Sequence, residues 1–312
     1  ATGGGDRRGA YSNGPLPWAE AMKRWLFLLL LIAPGIAAQP FEGLTEAVAR
    51  GDYGNLKAVV VSRHGDIVYE NYFRGSSAAD LHQVQSVTKS VGSALVGIAH
   101  RKGLLRLDQP IEPLFSGLYD MSQGAFADKA QITLEQLITH RLGIDWNEGA
   151  ADYRDPANPV NQMINADDWY AFVLQRPLAE APGANFRYNS GASVLTSRVI
   201  RAATGEAVDA FARRELFEPL GFGPVRWELY SDQGPGTGIT DWPNPDGDVP
   251  LGFGLWLRAR DMVAFGELYL NGGVYDGRRI LDESWVQGSW RRHSNAGNSD
   301  YAPGADWGYG YQ

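Results

Sequence analysis

No cysteine occurs in the 312 residues. Disulfides, thiolate metal sites and a cysteine nucleophile are thereby excluded, though the redox compartment is left open. Histidine is scarce as well. His64, His82, His100, His140 and His293 fall into no metal-ligand spacing such as His-Glu-x-x-His. His140 closes a predicted helix, where a cation is favoured by the helix dipole, so a structural role is expected for it. No basic run is long enough to form a phosphate-binding surface and the formal net charge is −8, so nucleic acid is not an expected partner. A Gly-x-Ser-x-Gly elbow is also missing, which argues against an α/β-hydrolase. Gly234-Pro235-Gly236-Thr237-Gly238 lacks the preceding strand and the glycine spacing of a phosphate loop, and reads as a plain loop. No cofactor and no metal are expected.

What is present is of ordinary globular make-up, 44% hydrophobic and 21% charged, without repeats or low-complexity tracts. The length suits one large domain or two intimate ones. Met22-Lys23-Arg24 is followed by an apolar run, Trp25 to Ile32, and by small residues up to Ala38. A basic start, a short apolar core and a small-residue exit match a secretory signal peptide over 22–38, cleaved after Ala38. The run is well short of the roughly 20 residues of a spanning helix, so no stable membrane span is expected. Residues 1–21 are read as upstream sequence without structural role, and 39–312 as the folded domain, secreted or periplasmic in a bacterium.

Along that domain, two β-rich runs at 57–73 around His64-Gly65-Asp66 predict a hairpin. From Leu104 to about Arg226 helical patterns dominate. Thr133-Leu134-Glu135-Gln136 is a capping box, and Asp167 to Leu174 a short helix stopped before Pro177. Between these lies a long polar loop, 145–159, with Trp146 and Tyr153, of a length that is usually functional or mobile. Helices are predicted over 192–203, over Glu206 to about Glu218, over 261–270, and after Asp282 as a capping residue. Gly252 to Leu257 reads as extended.

The stretch that commands attention is Ser86-Val87-Thr88-Lys89, opening a small, apolar helix that ends at Arg101-Lys102-Gly103. Residues three apart share a helix face, so the Lys89 amine can reach the Ser86 hydroxyl. The helix N-terminus and burial both push the lysine towards its neutral form, which can take the hydroxyl proton. The plainer alternative is a capping serine and a lysine snorkelling off an amphipathic helix.

Together with Tyr188-Asn189-Ser190-Gly191 and Leu255-Trp256-Leu257-Arg258-Ala259-Arg260-Asp261-Met262, this motif resembles the serine β-lactamase-related hydrolases. That group takes in class C β-lactamases, D-aminopeptidases, D-alanyl carboxypeptidases, related esterases and the 6-aminohexanoate-oligomer hydrolases. The last branch is nearest in look, through Leu142 to Glu148, Asp152-Tyr153-Arg154-Asp155-Pro156 and Leu268 to Gly273. The resemblance runs from about residue 41 to the end. It implies Ser86 as the acylated nucleophile, Lys89 as its proton acceptor and Tyr188 as a second acid or base.

Asn189 and Ser190 are implied as substrate contacts, with a departure: the usual Tyr-x-Asn has Ser190 in its third place. Trp146 and Trp242, in loops, are candidates to line a pocket. The family's third motif, Lys or His followed by x-Gly, is not reached before Gln312, and His293-Ser294-Asn295 lacks the glycine. The last strands are therefore expected to be missing. The implied fold is α+β, an antiparallel sheet opened by the 57–73 hairpin and flanked by helices. A mainly helical region at about 104–225 is inserted, with the site in the groove between. The expected partner is a small-molecule ester or amide, hydrolysed through an acyl-enzyme. The rival is a non-catalytic ligand sensor on the same fold. Loop shape chooses among esters, linear amides, D-peptides and β-lactams, and no feature sets an oligomeric state.

Overall fold

A computed structural model describes residues 41–229, 238, 240–298, 304 and 306–312. The leader expected at 22–38 and the segment before it lie outside the described residues, as does most of the glycine-rich stretch 234–238. The chain divides into two compact units, 1–55 and 56–312. The described part of the first holds helix α1 (Glu42–Arg50), stopped by Gly51 in the left-handed conformation.

The second unit opens with the hairpin, β1 (Ala58–Arg63) and β2 (Asp66–Tyr72). Its two-residue turn, His64-Gly65, has positive φ at both positions, 55° and 90°, the twist that suits antiparallel partners. Then follow β3 (His82–Gln83) and α2 (Val87–Arg101). The helical region comprises α3 (Glu112–Phe115), α4 (Gly124–Ala127), α5 (Leu134–Ile138), α6 (Pro159–Ile164), α7 (Trp169–Leu174), α8 (Ser190–Thr204) and α9 (Val208–Ala212). Four of these start on side-chain caps. Thr133 and Gln136 form the capping box of α5, while Asn158, Asp168 and Asn189 accept backbone N–H groups at the starts of α6, α7 and α8.

After α9 the helix expected to run to Glu218 becomes a π-helical segment, Arg213–Phe217. The chain goes on through β4 (Arg226–Trp227), β5 (Leu255–Leu257), α10 (Ala259–Leu270), β6 (Val274–Tyr275) and β7 (Arg278–Arg279). It ends in α11 (Glu283–Trp290), β8 (Ser294–Asn295) and β9 (Gly308–Tyr309). Asp282 precedes α11 as expected, but its carboxylate makes no capping bond.

The class is α+β and every strand pair is antiparallel. The expected continuous sheet is, among the described residues, four separate ladders: β1-β2, β3-β5-β4, β6-β7 and β8-β9. Outside the hairpin the strands are only two or three residues long, too short to extend a common ladder. Helix α10 packs on β1, and Arg260 pairs with Glu70 on β2.

The centre of the unit is the pair α2 and α8, fifteen residues each and packed on one another. Helix α8 also touches α3, α5, α6, α7 and α9. From Val91 to Ala99 every residue of α2 is buried. Its small residues explain how neighbours come so close: a Cβ placed on Gly97 would sit 2.5 Å from Trp285 Nε1. Large side chains such as Leu95 and Ile98, with no exposed surface, each contribute about 1.5–3 kcal/mol of burial. The β3-β5 ladder pairs His82 with Leu257 and Gln83 with Trp256, and Val84 N–H then donates to the Leu255 carbonyl at 3.0 Å. This rail fixes the segment Gly252–Leu257 beside the start of α2.

Candidate active site

Ser86 sits at the first turn of α2, after a left-handed Gln85 with φ of 47°. Such a conformation costs a residue with a Cβ some free energy and persists only where its surroundings hold it. Here Val87 N–H donates to the Val84 carbonyl at 3.0 Å, and Thr88 Oγ1 donates to the Gln85 carbonyl at 2.6 Å. Ser86 itself has helical angles and its hydroxyl makes no capping bond. The capping explanation for this serine is therefore removed.

The Ser86 hydroxyl faces Lys89 instead. Lys89 Nζ lies 3.1 Å from Ser86 Oγ and donates to the Gly252 carbonyl at 2.7 Å. The lysine is 2% exposed, so it does not snorkel. Burial lowers its pKa to about 8, and the Glu148 carboxylate opposes that shift. Once the ammonium loses a proton, one N–H can stay on Gly252 while the lone pair is offered to the serine hydroxyl.

Tyr188 brings its ring centroid to 5.1 Å from Lys89 Nζ. It is bracketed by His140: Arg187 N–H donates to the His140 carbonyl at 3.0 Å, and Asn189 N–H donates to His140 Nδ1 at 3.2 Å. With Nδ1 accepting, the ring proton is on Nε2, which faces Ser193 Oγ at 3.0 Å. The imidazole also meets the Tyr188 ring edge-on, with centroids 5.4 Å apart. His140 is fully buried, and burial together with nearby Lys89 holds its pKa well below the usual value. It is a neutral hydrogen-bonding group, which corrects the expectation of a cation at a helix end. Its φ of 53° places it in the left-handed region as the helix terminates.

Two of the remaining site residues expected from the sequence, Trp146 and Ser190, meet at the carboxylate of Glu148, for which the sequence suggests no role. Glu148, 1% exposed, accepts from Trp146 Nε1 at 2.6 Å, Ser190 N–H at 2.7 Å, Ser190 Oγ at 2.8 Å and the Tyr153 hydroxyl at 3.0 Å. Trp146 is thus behind the wall, buried and turned to Glu148, and Asn189 uses its side-chain oxygen on Ala192 N–H as the cap of α8. Of the three expected substrate contacts, Ser190 alone lines the cavity. Trp242 is half-buried and packs on Trp169. Nothing in the local sequence separates Glu148 from the background of surface acids.

Ser86, Lys89 and Ser190 border a cavity of about 740 Å³. One side is Gln83, Gln85, Ser86 and Lys89, and another is Tyr153, Arg154, Val160 and Ile164 from the loop before α6 and from α6 itself. Ser190, Leu229, Gly252 and Phe253 complete the described lining. The size suits a small-molecule site, and the mix of apolar walls with a few convergent polar groups is typical of one. Among the described residues no cluster of His, Asp or Glu is placed to hold a metal ion. None of the described helices is long and apolar enough to cross a membrane.

The chain belongs to the β-lactamase family, whose sequence profile matches residues 46–312. It is 25% identical over 248 residues to a 6-aminohexanoate-dimer hydrolase of Paenarthrobacter ureafaciens, covering 74% of this chain and 56% of that one. It is 26% identical over 219 residues to a lovastatin esterase of Penicillium rubens, covering 62% and 52%. The chain thus spans little more than half the length of these relatives. Among solved structures, the octameric penicillin-binding protein homologue from Pyrococcus abyssi superposes with a TM-score of 0.62 at 17% identity, over 88% of this chain and 64% of that one. At that identity the likeness shows the fold.

Proposed function

We propose that this chain carries the site of a serine hydrolase that cleaves ester or amide bonds through an acyl-enzyme on Ser86. The observation that carries the reading is a buried lysine, with its pKa lowered to about 8, 3.1 Å from a serine hydroxyl that caps nothing. Neutral Lys89 takes the proton of Ser86 as Oγ attacks the carbonyl carbon. The tetrahedral oxyanion collapses, the bond to the leaving oxygen or nitrogen breaks, and that atom leaves with a proton returned through Lys89 or Tyr188. Water, giving its proton to the same pair, then releases the acid and restores the serine. The Ser86 amide, at the positive end of the fifteen-residue helix α2, is suited to stabilise the developing negative charge. Relatives named as a 6-aminohexanoate-dimer hydrolase and a lovastatin esterase support this chemistry and leave the substrate open.

The test is turnover of p-nitrophenyl butyrate by the parent and by Ser86→Ala. The reading expects the parent to turn over and Ser86→Ala to lose at least about 10³-fold, as removal of an acylated nucleophile should. Equal rates would refute it. A single burst of p-nitrophenol without turnover would favour a ligand sensor instead.

A further inference from the structure

The charged side chains on the described lining of the cavity are Lys89 and Arg154, both basic, in a chain of net charge −8. Lys89 is committed to Ser86 and Gly252. Arg154 is exposed, and among the described residues its guanidinium has no hydrogen bond or ion pair; only its backbone N–H is engaged.

The acids around it do not neutralise it. Asp152 Oδ1 accepts the Arg154 backbone N–H at 2.8 Å, Asp155 Oδ1 accepts that of Ala157 at 2.8 Å, and neither lines the cavity. Both oxygens of Glu148 are taken by Trp146, Tyr153 and Ser190. The loop that bears the arginine is itself tethered. Asn158 Nδ2 donates to the carbonyls of Glu148 and Ala151 at 3.0 and 2.9 Å, and the Tyr153 hydroxyl is held by Glu148. The backbone that carries this planar fork of N–H donors is therefore held at the edge of a cavity whose other walls include Val160, Ile164, Leu229 and Phe253.

We propose that Arg154 is a specificity-determining residue that selects esters or amides bearing a carboxylate, joined to the scissile group by a short apolar spacer lying on those walls. The guanidinium pairs with the carboxylate in two-point fashion, a geometry lysine does not reproduce. The inference rests on the hydrolase reading above, and the two fail in different ways.

The experiment compares kcat/KM for charged and neutral isosteres in the parent, Arg154→Gln and Arg154→Lys, with Ser86→Ala as the control. One pair places the charge on the acyl side: the p-nitrophenyl monoester of glutaric acid against that of its terminal amide. The other places it on the leaving group: 3-carboxyphenyl butyrate against 3-carbamoylphenyl butyrate. In at least one pair the parent is expected to prefer the anion, and Arg154→Gln to lower that preference about 10-fold or more, chiefly through KM. Arg154→Lys should keep part of it. The responding pair shows which side of the substrate faces the loop.

Ser86-dependent hydrolysis with the same charge preference in parent and Arg154→Gln, for both pairs, overturns the inference and leaves the hydrolase intact. If no ester is cleaved, calorimetric binding of N-methylglutaramate to Ser86→Ala decides the matter. A Kd raised about 10-fold by adding Arg154→Gln supports the proposal, and an unchanged Kd overturns it.

Discussion

Glu148 holds Ser190 by two atoms, taking the backbone N–H on one carboxylate oxygen at 2.7 Å and the hydroxyl on the other at 2.8 Å. The residues are 42 apart in sequence. The contact fastens the loop before α6 to the first turn of α8, and so joins two walls of the cavity.

Truncating that carboxylate leaves buried donors on Trp146, Ser190 and Tyr153 without an acceptor. Glu148→Ala is expected to lower the unfolding free energy by about 3–5 kcal/mol, the range for a broken buried charge network. Glu148→Gln, which retains one acceptor oxygen, should lose less. Urea denaturation of the three proteins checks the order.

The same carboxylate bears on the lysine. Hydrolysis needs Lys89 neutral, so kcat/KM should be low in acid and rise with pH to a plateau, with an apparent pKa near 8. Glu148 raises the lysine pKa, so Glu148→Gln should move the rise to lower pH. A pH–rate profile for parent and variant gives both values. A shift to higher pH in the variant would contradict the assignment.

His140 brackets Tyr188 from both sides in the chain. His140→Gly retains the left-handed backbone and removes the ring that accepts Asn189 N–H. If Tyr188 moves protons, turnover should fall about 10²-fold while KM changes little, since the lost contact places a proton carrier and not the ligand. Steady-state kinetics with a circular dichroism melt separates this from unfolding.

Space at the start of α8 is equally limited. A Cβ at Gly191 would stand 2.6 Å from Val173 Cγ2 and 2.9 Å from Trp146 Cη2. Gly191→Ala should therefore cost about 1–3 kcal/mol, as overpacking of a filled core does. It should also displace Ser190, weakening substrate saturation. A thermal melt and a KM measurement check the two effects.

How much of this was readable beforehand follows the length scale of each interaction. Ser86 and Lys89 are three positions apart on one helix, so their meeting is a property of helical geometry. The capping box at Thr133 was equally local, and it formed. Asp282 matched the same pattern and makes no capping bond, since pattern alone does not set where a side chain turns. Asn189 fitted the place of a substrate contact, yet capping α8 claims its oxygen. Glu148 and His140 act across 42 to 53 residues, and nothing local distinguishes them from a loop acid or a helix-end histidine. The π-helical turn at Arg213–Phe217 likewise carries no local signal that the propensities of its residues express.

The account turns on Ser86 as the atom that is acylated, and peptide mapping after acid quench tests it most directly. The parent protein is mixed with p-nitrophenyl butyrate, quenched within one turnover, digested and read by mass spectrometry. A butyryl group is expected on the peptide that contains Ser86 and Lys89, localised to Ser86 by fragmentation and missing in Ser86→Ala. An adduct on another side chain, or ester turnover with no adduct and undiminished in Ser86→Ala, would contradict the account.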